Sequence, residues 1–391
     1  MKKTLLAAAL TIGFAGVAQA ETSVTLYGIL DGGIGYNRIT GTTNRGNVPE
    51  TAGQNLDGKI FGMINGVQSG NRWGLKGSED LGGGLRAVFQ LESGFDLGRG
   101  TQAQSNDKND RLFGRQATLG LASDSWGQFD LGRQTNITSK YLASIDPFAA
   151  GFDQANIGAA FTAANTARYD NMVMYQSPGF SGFQLGVGYS FNADGGQFAD
   201  RDIVDPVTGA VVGNTKDLNK KAITSGLRYA NGPINTALTY EQVKSGFTGS
   251  TNGDNVTIKS WNLAGSYDFE VVKLALAFGQ TRNGLFQSQY NLATTPYFGM
   301  EGLKVNSYLV GLTAPIGAGK VLASWTMADP RSNPDNTPGQ SYEKQQTYSL
   351  GYTYDLSKRT NVYAIGSYAK HVDFLPDAKS TLIGVGLRHQ F

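Results

Sequence analysis

The chain has no cysteine, and only two histidines, His371 and His389, occur in its 391 residues. Without cysteine, stability cannot come from a disulfide framework. With no thiolate and two distant imidazoles, no transition-metal site stands out, and no cofactor is expected. The same shortage argues against an enzyme. Ser–His chemistry needs a histidine beside a nucleophile and an orienting acid, and neither histidine follows a motif that supplies them. The stretch from Gly53 to Lys59 copies the spacing of a phosphate loop, but it lacks the following Ser or Thr and lies in a polar loop. Proline is scarce, at 11 residues against 53 glycines, so the chain is not of the disordered Pro/Gly kind. Beyond the N-terminus no run approaches the ~20 apolar residues of a membrane helix. A protein of this composition either stays in water or crosses a membrane as a closed β-barrel, the other architecture that satisfies every backbone N–H and C=O.

The N-terminus reads Met1-Lys2-Lys3, an apolar run from Leu5 to Val17, and then Ala18-Gln19-Ala20. A basic start, a short apolar core and an A-x-A site form an export signal, too short for an anchor. Residues 1–20 are expected to be removed, leaving a single domain over 21–391. Removing Lys2 and Lys3 would leave 31 basic against 31 acidic residues. A formally neutral chain is a poor nucleic-acid ligand, so electrostatic function must come from local arrangement.

What is abundant is aromatic and alternating. There are 18 Tyr and 20 Phe, types that favour strands and that ring membrane barrels at both interfaces. The clearest hairpin runs from Arg72 to Phe95. Trp73, Leu75 and Gly77 alternate with Arg72, Gly74 and Lys76, then a turn through Asp80–Gly84 leads to Leu85, Ala87, Phe89 and Leu91 alternating with Arg86, Val88, Gln90 and Glu92. Side chains alternate faces along a strand, so Arg72, Lys76 and Arg86 take the polar side. Strands of ten or more residues exceed ordinary soluble ones and match a tilted barrel crossing. Long polar loops fall near 38–68, 97–110, 135–166, 193–219, 245–256, 284–302, 328–344 and 371–379, separated by short turns. Eight such loops imply an all-β barrel of about 16 antiparallel strands, with short turns periplasmic and long loops outside. The strands at 112–122 and 361–369 are ambiguous. In the first, Arg115 shares parity with Leu119 and Leu121, so either a bulge intervenes or leucines face inward. Tyr27, Tyr36, Tyr189, Tyr267, Trp325, Tyr348 and Tyr354 are candidates for interface girdles. The last strand, Thr381 to Phe391, puts Ile383, Val385, Leu387 and His389 on the face of the terminal Phe391.

Several segments carry a family resemblance. Ser23–Gly28, Arg72–Leu85, Phe113-Gly-Arg-Gln-Ala117, Leu131-Gly-Arg-Gln134, Tyr175–Phe183 and Arg388-His-Gln-Phe391 occur in order along the chain. Together they resemble the general porins of β-proteobacteria, such as those of Bordetella, Burkholderia and Neisseria. The resemblance implies a homotrimeric, 16-stranded outer-membrane barrel of a Gram-negative cell. Its water-filled pore would be narrowed by the third external loop folding inward, with no catalysis required. It implies that Arg115, Arg133 and Arg168 join Arg72 and Lys76 on a basic wall. Phe391 would be the signal read by the barrel-assembly machinery. Outer-membrane lipid and lipopolysaccharide would surround the protein, and small hydrophilic solutes would pass.

The third loop, about Gln134 to Ala167, carries Asp146 and Asp153 and a single lysine, Lys140. It is expected to supply the acidic wall, with Asp146-Pro-Phe148 turning it at the narrowest point. Basic residues outnumber acids there, so an anion preference is expected. The competing expectation is that some arginines simply pair with acids such as Glu92, Asp96 or Asp130. A sugar-specific channel is disfavoured because most aromatics take the outward parity, and long loops would permit an adhesin role as well.

Overall fold

A computed structural model describes residues 22–44, 55–104, 110–244, 256–290, 299–337 and 339–391. The expected leader, residues 1–20, lies outside them. The wall begins with β1 (Ser23–Thr42), β2 (Asn55–Asn65), β3 (Arg72–Gly82) and β4 (Leu85–Gly94). It continues through β5 (Gln116–Ser123), β6 (Gly127–Thr135), β7 (Arg168–Gln176) and β8 (Phe183–Ser190). A small external hairpin follows, β9 (Asp202–Val204) and β10 (Val211–Asn214). The rest of the wall is β11 (Ala222–Asn231), β12 (Ile234–Lys244), β13 (Thr257–Asp268), β14 (Lys273–Arg282), β15 (Lys304–Ile316), β16 (Gly319–Ser332), β17 (Gln345–Asp355), β18 (Thr360–Lys370) and β19 (Lys379–Gln390).

Every wall pairing is antiparallel, and β19 pairs back onto β1 from Ile29↔Gln390 to Thr40↔Lys379. Gly28 and Phe391 then exchange both backbone hydrogen bonds, each 3.1 Å, so the last residue closes the ladder. The Phe391 ring lies so close over Gly28 that a Cβ there would overlap it. β2 and β3 are two halves of one wall strand. Gly32 pairs with Asn65 and Ile29 with Arg72, so residues 66–71 form an inserted bulge opposite Leu30 and Asp31. Counted this way the barrel has 16 strands, closed and antiparallel.

The long loop expected at 38–68 is a correction. β1 runs on to Thr42 and β2 starts at Asn55, so most of that stretch is wall. The ambiguity at 112–122 resolves through an irregular segment. β5 starts only at Gln116, Leu119 and Leu121 are exposed on the outside, and Arg115 in the preceding turn points inward. At 361–369 the inward face is itself apolar, Tyr363 and Ile365 each being 3% exposed. They are buried because the third loop packs on them.

That loop makes the core. It leaves β6 through the short helix α1 (Ile137–Leu142), capped by Asn136, whose side chain accepts from the Ser139 N–H at 3.1 Å. It then lies along the inner wall of β8 and β11–β19 and returns to β7. Ile137, Leu142, Ile145, Ile157 and Phe161 are buried against inward Met172, Ile258 and Leu309. Phe148 and Phe152 form a second cluster with Val67, Leu322, Tyr363 and Leu382. Wall side chains also bind the loop backbone: Ser307 Oγ donates to Ala160 O at 2.8 Å, Gln345 Nε2 to Ala159 O at 2.6 Å and Ser324 Oγ to Ala155 O at 3.1 Å. Close approach needs missing side chains beneath. A Cβ on Gly186 would stand 2.6 Å from Ile137 Cδ1, and one on Gly311 would overlap the Pro147 ring.

Gly311→Val should push Pro147 and the loop toward the lumen, with strain of about 1–3 kcal/mol. The expected outcome is a folded barrel with lower single-channel conductance. Wild-type conductance from Gly311→Val would show that the loop does not rest on this glycine.

Candidate pore constriction

The loop covers the β8–β19 side, so open lumen remains against β3–β7. β3 and β4 meet this lumen with Arg72, Lys76, Gln90 and Glu92, and β6 and β7 with Arg133, Arg168 and Asp170. Four arginines gather here. Arg115, Arg133 and Arg72 all lie within electrostatic reach of Arg168. They are held differently. Arg115 Nε donates to Glu92 Oε1 at 2.6 Å, and both residues are buried. Arg133 Nη1 donates to Asp170 Oδ1 at 2.6 Å and its Nε to Gly114 O at 2.8 Å. Arg72 and Arg168 form no ion pair among the described residues. Their fixed contacts are to backbone carbonyls, Arg72 Nε to Gly70 O at 2.9 Å and Arg168 Nη1 to Thr166 O at 3.2 Å. A carbonyl orients a guanidinium without cancelling its charge. The simple-pairing reading therefore describes Arg115 and Arg133 and does not describe Arg72 and Arg168.

Lys76 sits deeper, its Nζ 5.6 Å from the centre of the Tyr27 ring. It lines a polar chamber of about 390 Å³ with Gln90, Gln116, Gln128, Asp130 and Lys140. Tyr27 does not join a membrane girdle. Its hydroxyl donates to Glu92 Oε2 at 3.0 Å inside the barrel, as expected from its parity with Asp31. Arg86 lies away from this cluster, paired with exposed Asp124 at 2.8 Å near the turn end of β4.

The loop side is less acidic than its sequence suggests. The Asp146 carboxylate is 5% exposed and accepts from the backbone N–H groups of Phe148, Ala150 and Ile157 at 3.2, 2.9 and 3.1 Å. It therefore organises the loop tip from within and does not face the channel. Ala149, Ala150, Phe152 and Asp153 all have positive φ, a strained run that these bonds hold in place. Burial pushes the Asp146 carboxyl up to about 6, against the pull of the three N–H donors. Asp153 does reach lumen water. The enclosing wall, with the Asp31 carboxylate nearby, pushes its carboxyl up to about 7. Lys140 Nζ reaches Gln134 Oε1 at 3.2 Å, and burial pulls its pKa down against the attraction of Asp130.

Several residues of this region are not singled out by the sequence. Arg111 bridges Asp170 and Asp194 at 2.6 and 3.1 Å. Asp31 accepts from Tyr363 Oη at 2.7 Å and the Ser69 N–H at 2.6 Å, and Arg388 Nε donates to Ser69 Oγ at 3.0 Å. Asp170 shares strand parity with Arg168, and Arg388 stands opposite Leu387, so alternation alone could have found both. Arg111 lies in irregular chain, where parity carries no signal.

Comparison with known proteins agrees with this architecture. The family model of the Gram-negative porins matches residues 5–373. An outer membrane porin of Bordetella pertussis is 56% identical over the whole of both chains, and outer membrane porin protein 32 of Delftia acidovorans is 30% identical, again over both whole chains. Among solved structures, an anion-selective porin from Comamonas acidovorans superposes with a TM-score of 0.66 at 27% identity, covering 95% of this chain and all of that one. A closed 16-strand barrel with a loop folded into its lumen, matched end to end by such relatives, is an outer-membrane channel, and the chain belongs to the Gram-negative porin family.

Proposed function

We propose that the chain forms a general diffusion channel for small hydrophilic solutes and ions, with a preference for anions set at the Arg72–Arg168 wall. The observation that carries this reading is the unequal pairing of charge. Arg72 and Arg168 lack a carboxylate partner among the described residues, whereas the loop presents Asp153 as its one lumen-facing acid. In a narrow, partly desolvated passage, unpaired fixed charge repels co-ions more strongly than in bulk water. Lys76 extends the positive track toward the periplasm. The Comamonas porin described as anion-selective shares this fold, which is consistent with the reading.

The working unit is a homotrimer in this proposal. Outward positions of β1, β5, β6 and β19 include aliphatic side chains exposed in one protomer, among them Leu26, Ile34, Leu119, Leu131, Ile383 and Val385. The opposite side instead carries a continuous aromatic row, suited to lipid. Phe391, exposed at the end of the closing strand, is the candidate assembly signal. Lipopolysaccharide is the expected neighbour outside.

Planar-bilayer recording of the purified protein in a salt gradient tests the proposal. Conductance steps in groups of three with an anion-favouring reversal potential are expected, and a cation-favouring potential would overturn the arginine assignment. The preference should also respond to pH. Protonating Asp153 removes negative charge from the lumen, so anion preference should strengthen as pH falls through about 7. Asp153→Asn should flatten that response, and an unaltered pH profile in this variant would remove Asp153 from the selectivity account.

A further inference from the structure

Strand register places a row of basic residues on the outward face at the long-loop end of the barrel. Lys259 on β13 stands directly opposite Arg282 on β14, and Arg282 directly opposite Lys304 on β15. All three are exposed, and none forms an ion pair among the described residues. Lys244 on β12 lies diagonal to Lys259, opposite Thr257, and its N–H bonds Lys221 O at 2.9 Å just before β11. Like charges directly opposite each other destabilise a sheet. Neighbouring strands lie about 4.8 Å apart, so the three cationic heads occupy a patch roughly 10 Å across.

Immediately below runs the aromatic row. Tyr240 pairs with Trp261, Phe278 with Tyr308, and Trp325 with Tyr348, which in turn pairs with Tyr368. The Trp261 and Phe278 rings are 5.4 Å apart, and those of Phe278 and Tyr308 are 5.2 Å apart. Such a belt marks headgroup depth in the bilayer. The cations above it, Lys259 two positions from Trp261 and Arg282 and Lys304 four positions from Phe278 and Tyr308, therefore sit at the level of the outer leaflet's polar groups. They lie outside the pore, on the reverse face of the wall from the constriction, and play no part in its selectivity.

We propose that Lys259, Arg282 and Lys304 form a docking site for the phosphates of a glycolipid headgroup in the outer leaflet. A phosphate accepts several charge-assisted hydrogen bonds at once and would turn the repulsion within the row into a shared attraction. The site rests on the outer-membrane placement and gives residues to the lipid contact proposed above.

Retention of two probes by the purified full-length protein in detergent, read by native mass spectrometry, tests it. The probes are bisphosphorylated lipid A and its dephosphorylated form. Wild-type protein should favour the phosphorylated lipid by roughly tenfold or more. The triple variant Lys259→Gln, Arg282→Gln, Lys304→Gln should lose that discrimination. A Lys320→Gln, Lys358→Gln variant, altered at the short-turn end, should keep it. Equal retention of both lipids by wild type, or full discrimination by the triple variant, would overturn the site. Conductance of the triple variant in a bilayer free of lipid A should match wild type. A failure of the channel reading would appear in that measurement and not in lipid retention.

Discussion

Everything in this protein depends on closing one hydrogen-bond ladder. In hydrocarbon an unpaired backbone N–H or C=O costs several kcal/mol, and a sheet with edges would expose two rows of them. Pairing β1 with β19, completed by the Gly28–Phe391 exchange, removes both edges. Closure then fixes which residues face where. Alternation sends Leu, Val, Ile and aromatic side chains outward and Ser, Thr, Asn, Gln and charged residues inward. It also leaves the lumen as the one place where a connecting segment can be buried and still find hydrogen-bond partners.

The third loop uses that opportunity. A barrel interior lined only by water would have no apolar core, yet among the described residues this one has two clusters centred on the loop, beside a smaller one of Ala369, Val372, Leu375 and Ala378. The wall beneath supplies small residues for contact and hydroxyls for the loop carbonyls. Asp146 supplies the internal fastening, binding three backbone amides and holding a tip with four non-glycine residues at positive φ. Because the loop lies on the β8–β19 side, the passage is eccentric and runs past the arginines of the opposite wall. Under the proposed anion preference, the position of the loop and the sign of the field have the same structural origin.

Much of this was legible from period-two alternation. The Arg72–Phe95 hairpin and the inward sense of Arg72, Lys76 and Arg86 follow from parity, and the strand count from the spacing of long loops and short turns. What escaped was whatever parity does not govern. The bulge at 66–71 breaks register in mid-strand, so alternation alone makes the first long loop too wide. Arg115 and Arg111 lie in irregular chain. The inward faces of β18 and β19 look wrongly apolar at Tyr363, Ile365 and Leu382 because the loop that covers them is far away in sequence. Asp146 shows the same limit. A carboxylate in a loop reads as a pore charge until its three amide donors are seen. The family resemblance brought together Arg115, Arg133 and Arg168, and only geometry separated the paired arginines from the unpaired ones.

The central claim is that the unpaired guanidiniums, and not the paired ones, set the field. Reversal potentials in a salt gradient distinguish them directly. Arg72→Gln with Arg168→Gln should abolish most of the anion preference, because it removes charge that no carboxylate balances. Arg115→Gln with Glu92→Gln removes a neutral pair and should leave the potential near the wild-type value. An Arg72, Arg168 double variant that kept the wild-type reversal potential would contradict the account.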